Sequence, residues 1–276
     1  MKKGICFYFG YDSNYAERAT LIKTAGFDSV IASADRKFNY QNGSISQQVK
    51  IFKKNDLKLS SLHMRYNKED LPHFFKDDKI GKKLEKNIKK DLKLAKKYGF
   101  SCVVVHLNGE VSFEGVERFK RILKCAEKLQ VPIAIENLRD LRPFEYILTN
   151  FKSEFVGFCY DAGHHNAYNK DVDLLEKYGD RLLCLHLHDN DGERDLHTFN
   201  KFGTIDWQML AKKLAKTKIE QLDYELLPKE KHGFSMQEAL QECSKQALAL
   251  EKMILEERKK QKTRMKNAEK KKKTDN

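Results

Sequence analysis

From Cys184 the chain runs Cys-Leu-His-Leu-His-Asp-Asn-Asp-Gly to Gly192. It continues through Asp195-Leu196-His197 to Gly203-Thr204-Ile205-Asp206-Trp207. Three histidines and three aspartates fall within the twelve residues from His186 to His197. Neutral imidazole and carboxylate together form the donor set that suits zinc, manganese or a similar divalent ion. A solvated turn has no need of so many imidazoles. The apolar run 182–187 reads as a buried strand that feeds the cluster, and Gly192 marks the turn.

Such a cluster needs elements to hold it, and the rest of the chain supplies a repeat of strand, short loop and helix. Strands are predicted at 4–10, 28–32, 58–63, 102–107, 131–137, 155–160, 182–188 and 221–226. Helical periodicity follows at 15–25, 45–54, 80–98, 113–129, 143–150, 172–178, 207–215 and from 235 past 251. Continuous apolar runs such as Cys102-Val103-Val104-Val105 are what strands buried on both faces look like. Eight units of this kind predict an α/β fold, a single (β/α)8 TIM barrel over residues 1–257. An open doubly wound sheet would carry a glycine-rich phosphate loop after its first strand. Gly10-Tyr11-Asp12-Ser13-Asn14 stands there instead.

In such barrels chemistry sits at the carboxyl ends of the strands. Strand three ends in His63, strand four in His106 and strand five in Glu136. Strand six ends in Asp161, with His164 three residues on; strand seven ends in His186, with Asp195 and His197 in its loop. Strand eight carries Glu225. A carboxylate such as Glu136 at the end of a buried strand needs a cation or another partner. Six successive strands each ending in a metal donor predict a metal site. His188, two residues past His186, points inward as a substrate contact or a support for the ligands. Asp189 could hold an imidazole in its tautomer. Arg36, Lys37 and Arg65 lie in loops of the active face, where they could receive a phosphate or a sugar hydroxyl. Trp207 starts a helix near the rim and could cover a substrate. His165 reads as outward-facing, and His73 and His232 as surface residues.

Composition narrows the class. At 276 residues the chain can bury a large core. No apolar run is long enough to span a membrane, and the first residues read as a strand, not a signal peptide. The six cysteines (Cys6, Cys102, Cys125, Cys159, Cys184, Cys243) show no CxxC spacing. Buried reduced thiols in a cytoplasmic protein are the expectation. The net charge of +13 comes mostly from the tail 258–276, which holds ten basic and two acidic residues and leaves +5 on the body. A Lys-rich tail without aromatics is expected to be helical, then disordered and solvated, with no role in binding nucleic acid.

Several segments carry a family resemblance. They are Val104-Val105-His106-Leu107, Ile135-Glu136-Asn137-Leu138, Gly157 through His165, and above all His186 through Trp207. Over residues 4–230 the chain resembles the xylose isomerase-like barrel superfamily, which holds sugar phosphate isomerases and epimerases together with endonuclease IV. The resemblance implies a metal-dependent isomerase or epimerase of carbohydrate metabolism, acting on a sugar or sugar phosphate by proton transfer next to a metal-polarised carbonyl. It implies one divalent ion (Zn, Mn, Mg or Co) on Glu136, Asp161, His186 and Glu225, with the two glutamates as acid and base. It also implies, as the alternative, an endonuclease IV-like zinc phosphodiesterase acting on abasic-site DNA. That enzyme holds three zinc ions and adds two flanking sites: His63 and His106 with Glu136, and His164 with Asp195 and His197. Nucleic acid is a partner only under that alternative, no membrane is expected, and a homo-oligomer is compatible with both. Lys201-Phe202-Gly203 departs from the usual Gly-x-Gly of this loop. The segments His106-Leu107-Asn108-Gly109 and Asp161-Ala162-Gly163-His164 depart from the endonuclease pattern and favour the sugar side.

Overall fold

The computed structural model describes residues 1–274 apart from 9, 12, 36, 38–42 and 228–232, with the backbone alone for 268–274. Arg36 and His232, both singled out in the sequence, therefore lie outside the described residues. The strands are β1 (Lys2–Cys6), β2 (Ser29–Ser33), β3 (Lys58–His63), β4 (Cys102–Val105), β5 (Ile133–Glu136), β6 (Val156–Asp161), β7 (Leu182–His186) and β8 (Gln221–Tyr224). They form one parallel sheet in the order β7-β6-β5-β4-β3-β2-β1-β8. A parallel bridge between Leu187 and Tyr224 brings the two ends together. The expected single (β/α)8 barrel is what forms.

The helices are α1 (Tyr15–Thr24), α2 (Ile45–Lys54), α3 (Lys79–Tyr98), α4 (Phe113–Leu129), α5 (Arg142–Asn150), α6 (Ala162–Tyr168), α7 (Leu174–Tyr178), α8 (Trp207–Leu214) and α9 (Met236–Thr274). Strands β1, β4, β5, β7 and β8 end one to several residues before their apolar runs do, and so stop short of the predicted spans. Helix α6 lies outside the predicted elements, and α9 carries the Lys-rich tail as helix to Thr274 where disorder is expected. No helix among the described residues is long and apolar enough to cross a membrane.

Large apolar side chains fill the space between sheet and helices, as Phe7, Phe52, Phe119, Ile122, Phe144, Leu214 and Leu240 illustrate. Inside the barrel the filling is small: Cys102, Val104, Ala134, Cys159 and Cys184 form a separate cluster. Side chains two apart on a strand share a face, so these residues are the lower layers beneath His106, Glu136, Asp161 and His186. Strand β3 breaks that alternation, since Val30–Ala32 pairs with Leu59–Leu62 and one extra residue is accommodated. Such a bulge re-aims the side chains beyond it. It lets Ser60 and His63, three apart, both face the interior. On the floor Ser60 donates to Asp223 at 2.5 Å, and Gln221 donates to the same carboxylate at 2.7 Å.

Candidate metal centre

The centre starts from the last residue of each strand. His63, Glu136, Asp161 and His186 close β3, β5, β6 and β7, while His106 and Glu225 stand just past β4 and β8. All six are buried. Donor atoms of Glu136, Asp161, His186 and Glu225 lie within 4.8 Å of one another, and so do those of His63, His106 and Glu136. His186 Nδ1 is 3.3 Å from Glu136 Oε2 and 3.1 Å from Glu225 Oε2. His106 Nε2 lies 2.9 Å from Glu136 and 3.1 Å from His63 Nε2.

A third group forms at the mouth. His188, Asp195 and His197 bring their donors within 4.8 Å. His197 takes a left-handed backbone (φ 49°), uncommon outside glycine, and its Nδ1 bonds the carbonyl of Glu225 at 2.7 Å. That anchorage leaves Nε2 3.2 Å from Asp195. His188 is fully buried, stacked on His197 with centroids 3.9 Å apart, and its Nε2 is 3.1 Å from Asp161 and 3.7 Å from Asp195. His188 thus stands among the donors, whereas the sequence suggests a substrate contact or a support and gives its place in this group to His164. His164, carried by α6, lies between groups, with Nδ1 3.3 Å from Glu136 and Nε2 3.3 Å from Asp195.

The electrostatics come from burying carboxylates and imidazoles against one another. Burial alone would raise the Glu136 carboxyl, but the imidazoles of His106 and His186 and bonds from His106 and His164 hold it well below the usual range. Glu225 behaves alike: burial opposes ionisation, and His186 and His197 more than reverse it. Burial lowers His186, His164 and His197, yet facing carboxylates push all three up, His197 to about 9. His63 goes the other way, to about 4, through burial and the neighbouring His106. Both ring nitrogens of His186 are buried and lack a hydrogen-bond partner. An imidazole buried among three carboxylates, which its Nδ1 meets as close ion pairs without a directed hydrogen bond, is an arrangement that a divalent cation relieves. The residues fit such an ion.

Other contacts shape the walls. Tyr8, just past β1, donates its hydroxyl to Glu225 Oε1 at 2.6 Å; sequence reasoning misses it, although it is a polar tip at a strand's end like the others. Asn137, also missed, ties two strand ends by donating to the Asp161 carbonyl at 3.0 Å and accepting the Asp161 N–H at 2.7 Å. Tyr66 packs on His106 and His63, centroids 4.7 and 5.5 Å away, and Lys37 Nζ sits 5.0 Å over its ring. Arg65 spends its guanidinium on the buried Asp91, at 2.5 and 2.7 Å. Trp207 donates to Asp189 at 2.7 Å, and the same carboxylate accepts the N–H groups of Thr204 and Ile205. Asp189 therefore folds the loop, and among the described residues it bonds backbone and indole N–H groups where an imidazole is expected. His165 bonds the Val172 carbonyl, and His73 pairs with Asp78, both away from the donors.

Known proteins share this architecture. A family model described as "Xylose isomerase-like TIM barrel" matches residues 19–239. An uncharacterized protein of Sinorhizobium fredii is 33% identical over 151 residues, 52% of this chain and 46% of its own length. One from Methanocaldococcus jannaschii is 28% identical over 167 residues, 58% of this chain and 63% of its own. The chain thus spans about half to five-eighths of these relatives. Among solved structures, a D-tagatose 3-epimerase-like protein superposes with TM-score 0.75 at 17% identity, covering 93% of this chain and 99% of that one. The IOLI protein with a binding zinc atom gives 0.74 at 19%, covering 91% and 98%. D-Psicose 3-epimerase with D-tagatose, from Clostridium cellulolyticum H10, gives 0.72 at 15%, covering 92% and 99%. At such identities the likeness is one of fold.

Proposed function

The chain belongs to the xylose isomerase-like TIM-barrel family, and from that premise we propose that it is a metal-dependent isomerase or epimerase of a sugar or sugar phosphate. The observation that carries the reading is the pair of buried glutamates, Glu136 and Glu225, which both approach His186 Nδ1, at 3.3 and 3.1 Å. Glu136, Asp161, His186 and Glu225 would hold the ion, which when bound polarises a carbonyl. Both glutamates are kept ionised by their imidazole neighbours, so either can take a proton from the carbon beside that carbonyl and the other can return one. Tyr8 keeps Glu225 aimed. The mouth between Tyr66, His188 and the 186–207 loop would admit the substrate. Six free thiols suit a cytoplasmic enzyme.

A second reading has its own observation. Beside the four-ligand set, His63 and His106 group with Glu136, and His188, Asp195 and His197 form a separate group, an array with room for up to three ions. Zinc-dependent cleavage of a phosphodiester, as in abasic-site DNA, would use such an array.

One experiment separates the two. The protein, purified without chelator and its metal counted, is incubated in heavy water with a panel of ketoses and sugar phosphates, and deuterium at the carbon beside the carbonyl is followed by NMR. We expect exchange on at least one substrate, reduced about a hundredfold or more in Glu136→Gln and Glu225→Gln. Exchange that survives in both variants would overturn the acid/base assignment. No exchange, with about three zinc per chain and cleavage of abasic-site DNA, would establish the second reading.

A further inference from the structure

Cys159 takes no part in the chemistry above, yet it lies against the ions' own ligands. It is fully buried on β6, in register with Glu136 across β5, and shares the inward face with Asp161 two residues on. Its Sγ, a carboxylate oxygen of Glu136 and a ring nitrogen of His186 all fall within 4.8 Å of one another. The four-ligand set falls within the same limit and shares two members, Glu136 and His186, with this trio. Below it the register pairs Cys159 with Cys184, whose Sγ is 3.7 Å from that of Cys102. Cys159 thus belongs to the inner layer that also holds Cys102 and Cys184.

Donor softness distinguishes the two positions. Three carboxylates and one imidazole suit manganese or magnesium as well as zinc; a set with thiolate selects thiophilic ions. We propose that the centre has a second, deeper position formed by Glu136, Cys159 and His186, which takes a thiophilic divalent ion such as cadmium, zinc or cobalt and competes with the position above it. The inference rests on the metal-centre reading. On binding, the Cys159 S–H bond breaks, its proton leaves to solvent, and a metal–sulfur bond forms with no change of oxidation state. An ion held there draws Glu136 and His186 down from the upper set, so thiophilic ions would displace manganese.

Cadmium is the probe. Adding it to the metal-free protein of residues 1–276 should raise the short-wavelength ultraviolet absorption of thiolate-to-cadmium charge transfer, which saturates at one sulfur-bound ion per chain. Cys159→Ser should lose that absorption and keep its manganese binding, while Cys102→Ser should keep both. In the wild type cadmium should lower manganese affinity about tenfold or more. The cadmium NMR shift of the wild-type complex tests the sulfur bond without any variant, since sulfur moves it far downfield of an all-oxygen-and-nitrogen site. Absorption unchanged in Cys159→Ser, or bound cadmium with an oxygen-and-nitrogen shift, overturns the proposal while leaving the metal centre standing. A wild-type protein that binds neither manganese nor cadmium overturns both.

Discussion

Glu225 is held on one side by an imidazole and on the other by a phenol, and the phenol is the removable part. In Tyr8→Phe the carboxylate keeps His186 but loses the 2.6 Å bond that fixes its second oxygen. Loss of such an outer partner typically costs about 10- to 100-fold in metal affinity or activity. We expect that loss in a manganese titration with little change in melting temperature; unchanged affinity would reduce Tyr8 to packing. Asp223, on the barrel floor, is a residue of the opposite kind. Burial pushes its carboxyl above 3.8 despite bonds from Ser60 and Gln221. The folded barrel therefore favours its proton, and the associated stability is complete below about pH 4 and is lost as pH rises through the folded value. Asp223→Asn should accordingly melt higher at neutral pH, by roughly 1 kcal/mol or 2–4 °C, and the advantage should vanish in acid. Equal melting curves at all pH values would refute it.

At the scale of elements, the centre depends on where strands stop and what begins next. Asp161 ends β6 and also caps α6, accepting the His164 N–H at 2.6 Å, so one carboxylate fixes both a donor position and the helix carrying His164. Gly163 in that helix leaves the room His188 occupies: a Cβ there would stand 1.9 Å from the His188 ring. Gly163→Ala should push His188 off Asp161 and Asp195, destabilising the fold by about 1–3 kcal/mol. Zinc stoichiometry should fall at the outer group while the four-ligand set still fills; full occupancy of every site would contradict this. Sequence reveals some of this layout better than the rest. Helix α2 begins where expected because Ser44 and Gln47 form a reciprocal cap, and α4 because Ser112 caps it. Helix α6 is hidden because Ala-Gly-His-His-Asn has weak helix propensity and its cap, Asp161, reads first as a ligand. The contacts of Tyr8 with Glu225 and Arg65 with Asp91 join residues far apart in the chain, which no local period encodes. The strand-end candidate donors are legible because closing the barrel makes all strand ends neighbours.

At the scale of the molecule, α9 changes character along its length. Ala239, Leu240, Cys243, Ala247, Leu250 and Ile254 are buried, a stripe that seals the helix against the barrel. One turn on, Arg258 donates to the carbonyls of Thr217 and Ile219 at 3.2 and 2.6 Å and pairs with Glu220 at 2.8 Å. These groups lie in the segment leading into β8, so Arg258 clamps the helix to the base of the strand that leads to Glu225. From Lys259 to Asn267 no residue is buried. Among the described residues Arg258 is the last whose side chain bonds outside its own helix, one residue past the boundary that charge suggests at 257/258. A chain ending at Arg258 should match the full-length melting temperature within about 0.5 kcal/mol and retain its metal. A chain ending at Glu257 leaves two carbonyls without their charged donor and should lose roughly 1–3 kcal/mol. Thermal melts of the two truncations side by side test this. Equal stabilities would show that Arg258 clamps nothing, and a large loss in the longer one would show that the basic helix beyond it supports the barrel.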